Sequence, residues 1–198
     1  MRIGVGITTY NRSASLRRTI EGVIATSSPD VIVVADDGST DDTSAVMSEY
    51  PDILYLQCPN GGIARNKNRL LFRLFAIERC DVVVLLEDDT VPVECGWLWR
   101  WADGAAYYGS VSRGADATSG LGTLESPYIC RQVAAQCWAI SGQAWRDIGY
   151  LDYRFRSYGY EHAEWQRRAA LRGYGGKIDA FYCLSDEDFF IDHEIQTT

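Results

Sequence analysis

The feature that most restricts the fold of this chain is the alternation of short apolar, β-branched runs with longer segments of helical periodicity. The runs at 31–35 and 82–86 contain no polar residue, which is typical of strands that are buried on both faces. Such strands occur in parallel sheets, whose crossover connections are usually helices. The sequence therefore predicts an α/β fold, with a mostly parallel twisted sheet and helices on both of its faces.

The same periodicities place the individual elements along the chain. Strands are predicted near 2–8, 31–35, 53–57, 82–86, 134–140 and 177–183. Helices are predicted near 13–26, 41–49, 63–77, 95–107, 142–148 and 161–172, with Ser13 as the N-cap of the first helix. Residues 109–127 are rich in Gly, Ser, Ala and Thr without periodicity, which predicts a loop. The 198 residues fit one domain, which can itself be part of a longer protein.

Charge and hydropathy exclude several classes of function. With 19 basic and 27 acidic residues the formal net charge is -8, so the overall field repels nucleic acid and anionic lipid. No apolar stretch reaches the roughly 18 to 20 residues of a transmembrane segment, and the chain begins with a strand pattern instead of a signal peptide. The six cysteines form no C-x-x-C pair, as expected for reduced core residues. We therefore expect a soluble, cytoplasmic protein that binds no nucleic acid.

Three polar clusters follow predicted strands at the point where each strand ends. They are 8–12 (Thr-Thr-Tyr-Asn-Arg), 36–39 (Asp-Asp-Gly-Ser) and 87–89 (Glu-Asp-Asp). The carboxyl ends of parallel strands form the edge at which open α/β sheets bind ligands. Three adjacent carboxylates repel one another unless a cation or hydrogen-bond donors compensate. Their hard oxygens suit Mg²⁺ or Mn²⁺, which bind one or two carboxylates together with the phosphate oxygens of a substrate.

Five segments together resemble the glycosyltransferases of the GT-A fold, in particular family 2. They are 7–12, 33–41, 60–66, 85–92 and 159–165, and they occur in the order of the family over most of the chain. The resemblance implies one catalytic domain over 1–198, with a nucleotide-sugar-binding half at 1–92 and an acceptor-binding half at 93–198. It implies transfer from a nucleotide diphosphate sugar, a UDP-sugar above all, to a glycan or other hydroxyl acceptor, with inversion and with Mn²⁺ or Mg²⁺ as cofactor.

The resemblance also implies roles in binding the nucleotide. Thr8 and Tyr10 are expected to line the base pocket, with Tyr10 stacked on uracil, and Asp37 to accept a hydrogen bond from the base. Arg12 belongs to the first of the matching segments and is also expected to contact the nucleotide. Arg65 falls in the first turn of the third helix, where its cation and the helix N-terminus can both face a diphosphate.

The metal site is likewise implied by the resemblance. Asp89 resembles the metal-ligating carboxylate of the family, while Glu87 and Asp88 are expected to face the ribose and the water shell of the metal. His193, beyond the last predicted strand, is the expected third protein ligand, with Glu87 and Asp89, because many metal-dependent enzymes of this fold close the ion site with a C-terminal histidine.

One segment departs from the family pattern. Where the family has Glu-Asp, with the aspartate as general base, this chain has Glu161-His162. Histidine accepts a proton near neutral pH, so His162 is a candidate base, and Glu161 is an equal candidate. Glu164 lies four residues before Arg168, a spacing that favours an ion pair on the helix surface.

Two other interpretations share the predicted sheet. A nucleotidyltransferase commonly has a Gly-rich, basic loop after the first strand, where this chain has Thr-Thr-Tyr-Asn-Arg. A non-catalytic nucleotide-sugar-binding module would keep the pocket and lose the base, which His162 in place of aspartate favours. A dinucleotide oxidoreductase is disfavoured, because Gly4 and Gly6 lie inside the first strand and the third glycine of the fingerprint is missing. The donor sugar, the acceptor and the oligomeric state have no signature in the chain.

Overall fold

The computed structural model describes residues 1–156 and 159–191. The strands are β1 (Ile3–Thr9), β2 (Val31–Asp36), β3 (Leu54–Gln57), β4 (Val82–Glu87), β5 (Thr90–Pro92), β6 (Ser110–Gly114), β7 (Ala117–Ser119), β8 (Tyr128–Cys130), β9 (Val133–Ser141), β10 (Gly176–Lys177), β11 (Ala180–Leu184) and β12 (Phe189–Ile191). The helices are α1 (Ser13–Thr26), α2 (Thr43–Ser48), α3 (Ile63–Leu71, continued by a π-helix at Phe72–Ile77), α4 (Trp97–Tyr108), α5 (Gly142–Ile148) and α6 (Glu161–Leu171).

The first half of the chain builds the parallel part of the main sheet, in the order β3-β2-β1-β4. β1 is central and pairs in parallel with β2 and β4, so that Thr8 lies beside Ala35 on one side and beside Glu87 on the other. This register brings the ends of three strands to one edge. The predicted α/β class and the meeting of the three polar clusters at this edge are both confirmed.

The second half of the sheet is mainly antiparallel, so the sheet as a whole is mixed. β9 runs antiparallel to both β4 and β6, and β11 joins β6 in parallel and β8 in antiparallel orientation. The predicted loop at 109–127 is wrong in part, because β6 and β7 lie within it. The hydroxyls of Ser110 and Ser112 are buried but hydrogen-bonded, to Trp138 Nε1 and Gln166 Nε2 respectively, so a Ser-rich segment can form an inner strand here.

Two apolar cores, one on each face of the sheet, confirm the predicted three-layer arrangement. Alternate residues of the strands point to opposite faces, so Val82, Val84 and Leu86 pack with α1 and α4 while Val83 and Leu85 pack with α3, α5 and α6. In β1 the face toward α3 carries Gly4 and Gly6 in place of larger side chains. A Cβ atom on Gly6 would lie 2.8 Å from Leu85 Cδ2 and 3.1 Å from Leu70 Cδ1. These glycines therefore permit close helix-to-sheet packing and have no phosphate-binding role.

Three smaller features differ from or extend the sequence predictions. Ser13 is the first helical residue and not the N-cap, which is Arg12; the Ser13 amide instead donates to Asp41 Oδ2 at 2.9 Å. The last predicted strand is a short hairpin of β10 and β11. β12 pairs with β5 directly after the acidic cluster, which brings the chain near 191 to the sheet edge. Within the described ranges, no helix has the length and apolar character needed to cross a bilayer.

Candidate functional site

A cavity of about 480 Å³ lies at the carboxyl ends of β1, β2 and β4. Its walls combine all three polar clusters with the start of α3, one residue of β9 and the end of β12. The lining residues are Thr8, Thr9, Tyr10, Arg12, Asp37, Asn60, Gly62, Ile63, Asn66, Glu87, Asp88, Asp89, Gln136, Arg156 and Ile191. Seven of the eleven site residues named from the sequence therefore share one cavity.

The acidic cluster is compensated by Arg12, which reaches it from the turn after β1. The Arg12 guanidinium donates to Asp88 Oδ1 at 2.8 Å and to Asp89 Oδ2 at 3.1 Å. Asp88 also accepts from the hydroxyl of Thr9 at 2.8 Å. Burial raises the pKa of Asp88 to about 7, although Arg12 and Thr9 oppose the shift. Asp89 is the more exposed of the two carboxylates that Arg12 contacts.

Glu87 is compensated separately, by the buried side chain of Lys67. The Lys67 ammonium lies 3.1 Å from Glu87 Oε1 and 2.9 Å from Glu161 Oε1. Burial disfavours the charged form of Glu161, but the neighbouring His162 ring and the Lys67 ammonium outweigh it and lower the pKa of Glu161 to about 2. A carboxylate with so low a pKa is a weak proton acceptor.

On the nucleotide side, Tyr10 presents a half-exposed ring at the cavity, as stacking on a base requires. Asp37, expected to contact the base, already accepts three hydrogen bonds. Its oxygens lie 2.8 Å from the amides of Gly61 and Gly62, and Arg69 NH1 donates to Oδ1 at 2.9 Å. Asp37 therefore also fixes the turn before α3, and any bond from a base is additional to these three.

Arg65 lines a separate, adjoining cavity of about 190 Å³ and not the main one. The two cavities share Asn60, Gly62 and Arg156 in their walls. The guanidinium of Arg65 lies over the ring of Tyr153, 5.6 Å from its centroid. The predicted contact of Arg65 with a diphosphate thus depends on a ligand that extends past the Asn60–Gly62 turn.

The two candidate bases lie beside the main cavity and do not line it. His162 Nε2 lies 2.9 Å from the carbonyl oxygen of Val133, and Nδ1 lies 3.5 Å from Glu161 Oε1. Because a carbonyl only accepts, Nε2 carries the proton and Nδ1 holds the lone pair of the neutral ring. Nδ1 is buried and has no hydrogen-bond partner among the described residues.

Comparison with known proteins decides the family. Residues 4–95, slightly less than half of the chain, match the family model described as "Glycosyl transferase family 2". This part of the chain belongs to glycosyl transferase family 2. A search of curated proteins found no match.

Solved glycosyltransferase structures share the fold of this chain. A mannosyltransferase from Pyrobaculum calidifontis, in complex with GDP-Man and Mn²⁺, has 16% identity and a TM-score of 0.66, over 93% of this chain and 54% of that chain. S. aureus TarS 1-349 in complex with UDP has 17% identity and a TM-score of 0.68, over 96% and 59%. GalNAc-T7 with UDP, GalNAc and Mn²⁺ has 14% identity and a TM-score of 0.67, over 96% and 42%. The present chain thus spans between about two fifths and three fifths of these chains.

The side chains at the acidic edge fit a divalent cation in part. Asp88 and Asp89 offer hard carboxylate oxygens at the cavity, and a cation of this class needs only one or two carboxylates beside phosphate and water. Glu87, expected to ligate the metal, has one oxygen paired with Lys67 instead. His193 lies outside the described residues. In the described part of the chain, no three His, Cys, Asp or Glu side chains are grouped to hold a metal.

Sequence reasoning missed several residues of the site. Two features of the sequence could have identified Lys67 as a site residue: it directly follows the matching segment 60–66, and it is one of only two lysines in the chain. Gln136 reaches the cavity from β9, and Ile191 from β12, through strand pairing that no local pattern indicates. The predicted surface ion pair is confirmed, since Arg168 Nε lies 2.6 Å from Glu164 Oε1.

Proposed function

We propose that this protein transfers a sugar from a UDP-sugar to a hydroxyl of a glycan or glycoconjugate, with inversion and with Mn²⁺ or Mg²⁺ as cofactor. One observation carries the proposal: the aromatic, acidic and basic side chains of three sequence clusters, all within the segment that matches the family model, line a single cavity. Structures of this fold hold UDP in TarS and GalNAc-T7 and GDP-Man in the mannosyltransferase, so the choice of a uridine nucleotide rests on Thr8, Tyr10 and Asp37.

The nucleotide binds against Tyr10 in this proposal. The exposed ring offers a flat apolar surface to the base, and stacking of this kind contributes about 1 to 3 kcal/mol in single-stranded nucleic-acid complexes. Thr8 and Asp37 lie on the same wall, where their oxygens can accept from the N–H of uracil. A pyrimidine also leaves more of the cavity to the ribose and the diphosphate than a purine does.

Asp89, with Asp88 beside it, would hold the cation, since a cation of this class needs only one or two carboxylates beside phosphate oxygens and water. When bound, it neutralises the negative charge that develops on the leaving diphosphate. Arg12 contributes to the same end, because its guanidinium is already at the acidic edge and is suited to phosphate oxygens.

His162 is the proposed base, and Glu161 is the weaker candidate. In the neutral ring, Nδ1 of His162 is the unprotonated nitrogen, and no described residue hydrogen-bonds to it. Its use as a base requires that this buried nitrogen become accessible to an acceptor hydroxyl. The pKa of Glu161, about 2, leaves that carboxylate little tendency to take a proton. Glu161 instead accepts from Lys67.

The test combines binding with turnover. A thermal-shift screen of UDP, GDP and their sugars, with and without Mn²⁺, identifies the donor, since a ligand of the native state raises the melting temperature. Chromatography then measures release of nucleoside diphosphate from that donor without an acceptor. Absence of both a thermal shift and a released diphosphate across the screen would refute the proposal.

A non-catalytic nucleotide-sugar-binding module is the second candidate. The observation that favours it is the position of His162, which contacts Val133 and Glu161 and does not line the cavity. Such a module would give the same thermal shift and would release no diphosphate over long incubation.

A further inference from the structure

We propose that Lys67 is a positioning residue that couples the acidic end of β4 to the first turn of α6; this inference rests on the proposed function. Its ammonium bridges Glu87, which lines the donor cavity, and Glu161, which directly precedes His162. One side chain of α3 thus joins the donor-binding half of the chain to the element that carries the proposed base.

The burial of Lys67 is hard to explain by stability alone. Lys67 and Glu161 are each 1% exposed, and lysine is almost never fully buried unless it is paired. Removing such ions from water costs several kcal/mol each, so well-packed apolar residues often give equal or greater stability. What the charged bridge does provide is a fixed geometry, because both carboxylates must lie within hydrogen-bond distance of one nitrogen.

Lysine suits this position better than arginine. The chain has 19 basic residues, and all but Lys67 and Lys177 are arginines. A compact ammonium has three donors that can point to carboxylates in different directions, and it occupies less space in an enclosed position than a planar guanidinium with its fixed donor geometry. The use of lysine at the most enclosed cationic position therefore matches the demand for a bridge.

The first turn of α6 needs such an anchor. Its N-cap, Tyr160, has φ 69°, a left-handed conformation that non-glycine residues adopt at a cost, and it makes no side-chain capping hydrogen bond. Strained residues of this kind persist where surrounding contacts hold them. The Lys67–Glu161 pair and the His162–Val133 hydrogen bond are two contacts that hold this turn.

Loss of Lys67 is therefore expected to lower the rate of turnover while leaving the affinity for nucleotide nearly unchanged. Lys67 does not line the cavity, and Tyr10 and Asp37 are positioned by other contacts, so nucleotide affinity is expected to depend little on it. The location of His162 relative to the donor depends on it directly. Displacements of about 1 Å at a reacting group can cost on the order of 10²-fold in rate.

The test compares two variants that differ only at Lys67. Lys67→Met alone leaves two buried carboxylates without a cation and can fail to fold. Glu161→Gln keeps an acceptor for Lys67, and the double variant Lys67→Met/Glu161→Gln removes the bridge while keeping the net charge of the three groups at its original value of minus one. Lys177→Met, at an exposed lysine, is the matched control and should behave as wild type.

Three measurements on folded protein decide the inference. Compared with Glu161→Gln, the double variant should release diphosphate from the donor about tenfold more slowly or worse, with the Kd for UDP changed by less than about threefold. Hydrogen exchange of peptides that cover the first turn of α6 should be faster in the double variant. Equal turnover and equal exchange in the two variants would overturn the inference.

Failure of the proposed function gives a different result. In that case wild type binds no uridine nucleotide and releases no diphosphate, and hydrogen exchange alone tests Lys67. Faster exchange at the start of α6 in the double variant still supports the positioning role, and unchanged exchange refutes it.

Discussion

Replacement of Asp89 by asparagine should abolish the metal dependence of donor binding and leave the fold intact. Asp89 Oδ2 lies 3.1 Å from Arg12 NH1, and Oδ1 lies only within 3.4 Å of Thr90 Oγ1, so the side chain has few contacts to lose. Asparagine keeps the shape of the side chain and removes the negative charge that a hard cation requires.

The contacts of Asp89 set an upper limit on how much Asp89→Asn can destabilise the fold. The guanidinium of Arg12 retains Asp88 at 2.8 Å, so no buried charge is left without a partner. The Arg12–Asp89 pair is partly exposed, and such pairs contribute about 0 to 1 kcal/mol. For a chain of this length that corresponds to a fall in Tm of no more than about 4 °C.

The cost in binding is larger. Loss of a residue that merely supports a metal ligand lowers metal affinity about 10- to 100-fold, and loss of the ligand itself should cost at least as much. Isothermal titration calorimetry of UDP, with and without Mn²⁺, measures the effect. Wild type should bind more tightly with the metal, and Asp89→Asn should bind equally with and without it.

A matched control separates the metal from a general loss of charge. Glu49→Gln also removes a carboxylate from an arginine, since Glu49 Oε2 lies 2.7 Å from Arg17 NH1, but it is remote from the cavity lining. It should retain the full effect of Mn²⁺. Wild-type response to Mn²⁺ in Asp89→Asn, or no response in wild type, would refute the assignment of the cation to this carboxylate.

Four further predictions follow from the site. Tyr10→Ala should weaken UDP binding by roughly 1 to 3 kcal/mol in calorimetry, and wild type should prefer UDP to GDP; a GDP-sugar that binds more tightly than every UDP-sugar would reverse this. Gly62→Ala should lower the free energy of unfolding by roughly 1 to 3 kcal/mol in urea titrations, because φ is +87° and a Cβ would meet the backbone of Arg156. His162→Ala should reduce donor turnover about 10²- to 10⁴-fold with UDP affinity retained, and a turnover equal to wild type would exclude it as base. The pKa of Glu161 is lowered from 4.5 to about 2, so its contribution to stability is complete above pH 4.5 and is lost as the pH falls toward 2; Glu161→Gln should remove that part of the acid dependence, and parallel unfolding curves across this range would contradict the shift.

The parallel half of the sheet was predictable because its strands are buried on both faces. The runs at 31–35 and 82–86 have to lie between two helical layers, and every polar residue that follows them is then forced to the same edge. Helix bounds were predicted closely for the same reason, as at 13–26 and 142–148. In this half of the sheet, the local apolar pattern by itself predicts where each strand lies in the folded protein.

The antiparallel half was not predictable to the same degree. Ser110 and Ser112 read as loop residues, and only their partners Trp138 and Gln166, distant in sequence, make a buried strand possible. Lys67 shows the same limit at the site. A lysine in a helix normally indicates the solvent-facing side, and its burial becomes apparent only when Glu87 and Glu161 are brought to it by the fold.

The charges at the acidic edge give an independent reason to expect a cation there. Among the described residues, the lysine and arginine ion pairs of the three cluster carboxylates and Glu161 involve two cations, Arg12 and Lys67. When all are ionised the group carries two negative charges in excess, in surroundings that are largely removed from water. Burial already raises the pKa of Asp88 to about 7, which is the response expected of a carboxylate whose charge is poorly compensated. Under the proposed function, a divalent cation would supply the missing charge, and it would allow a diphosphate, itself an anion, to approach an edge that otherwise repels it.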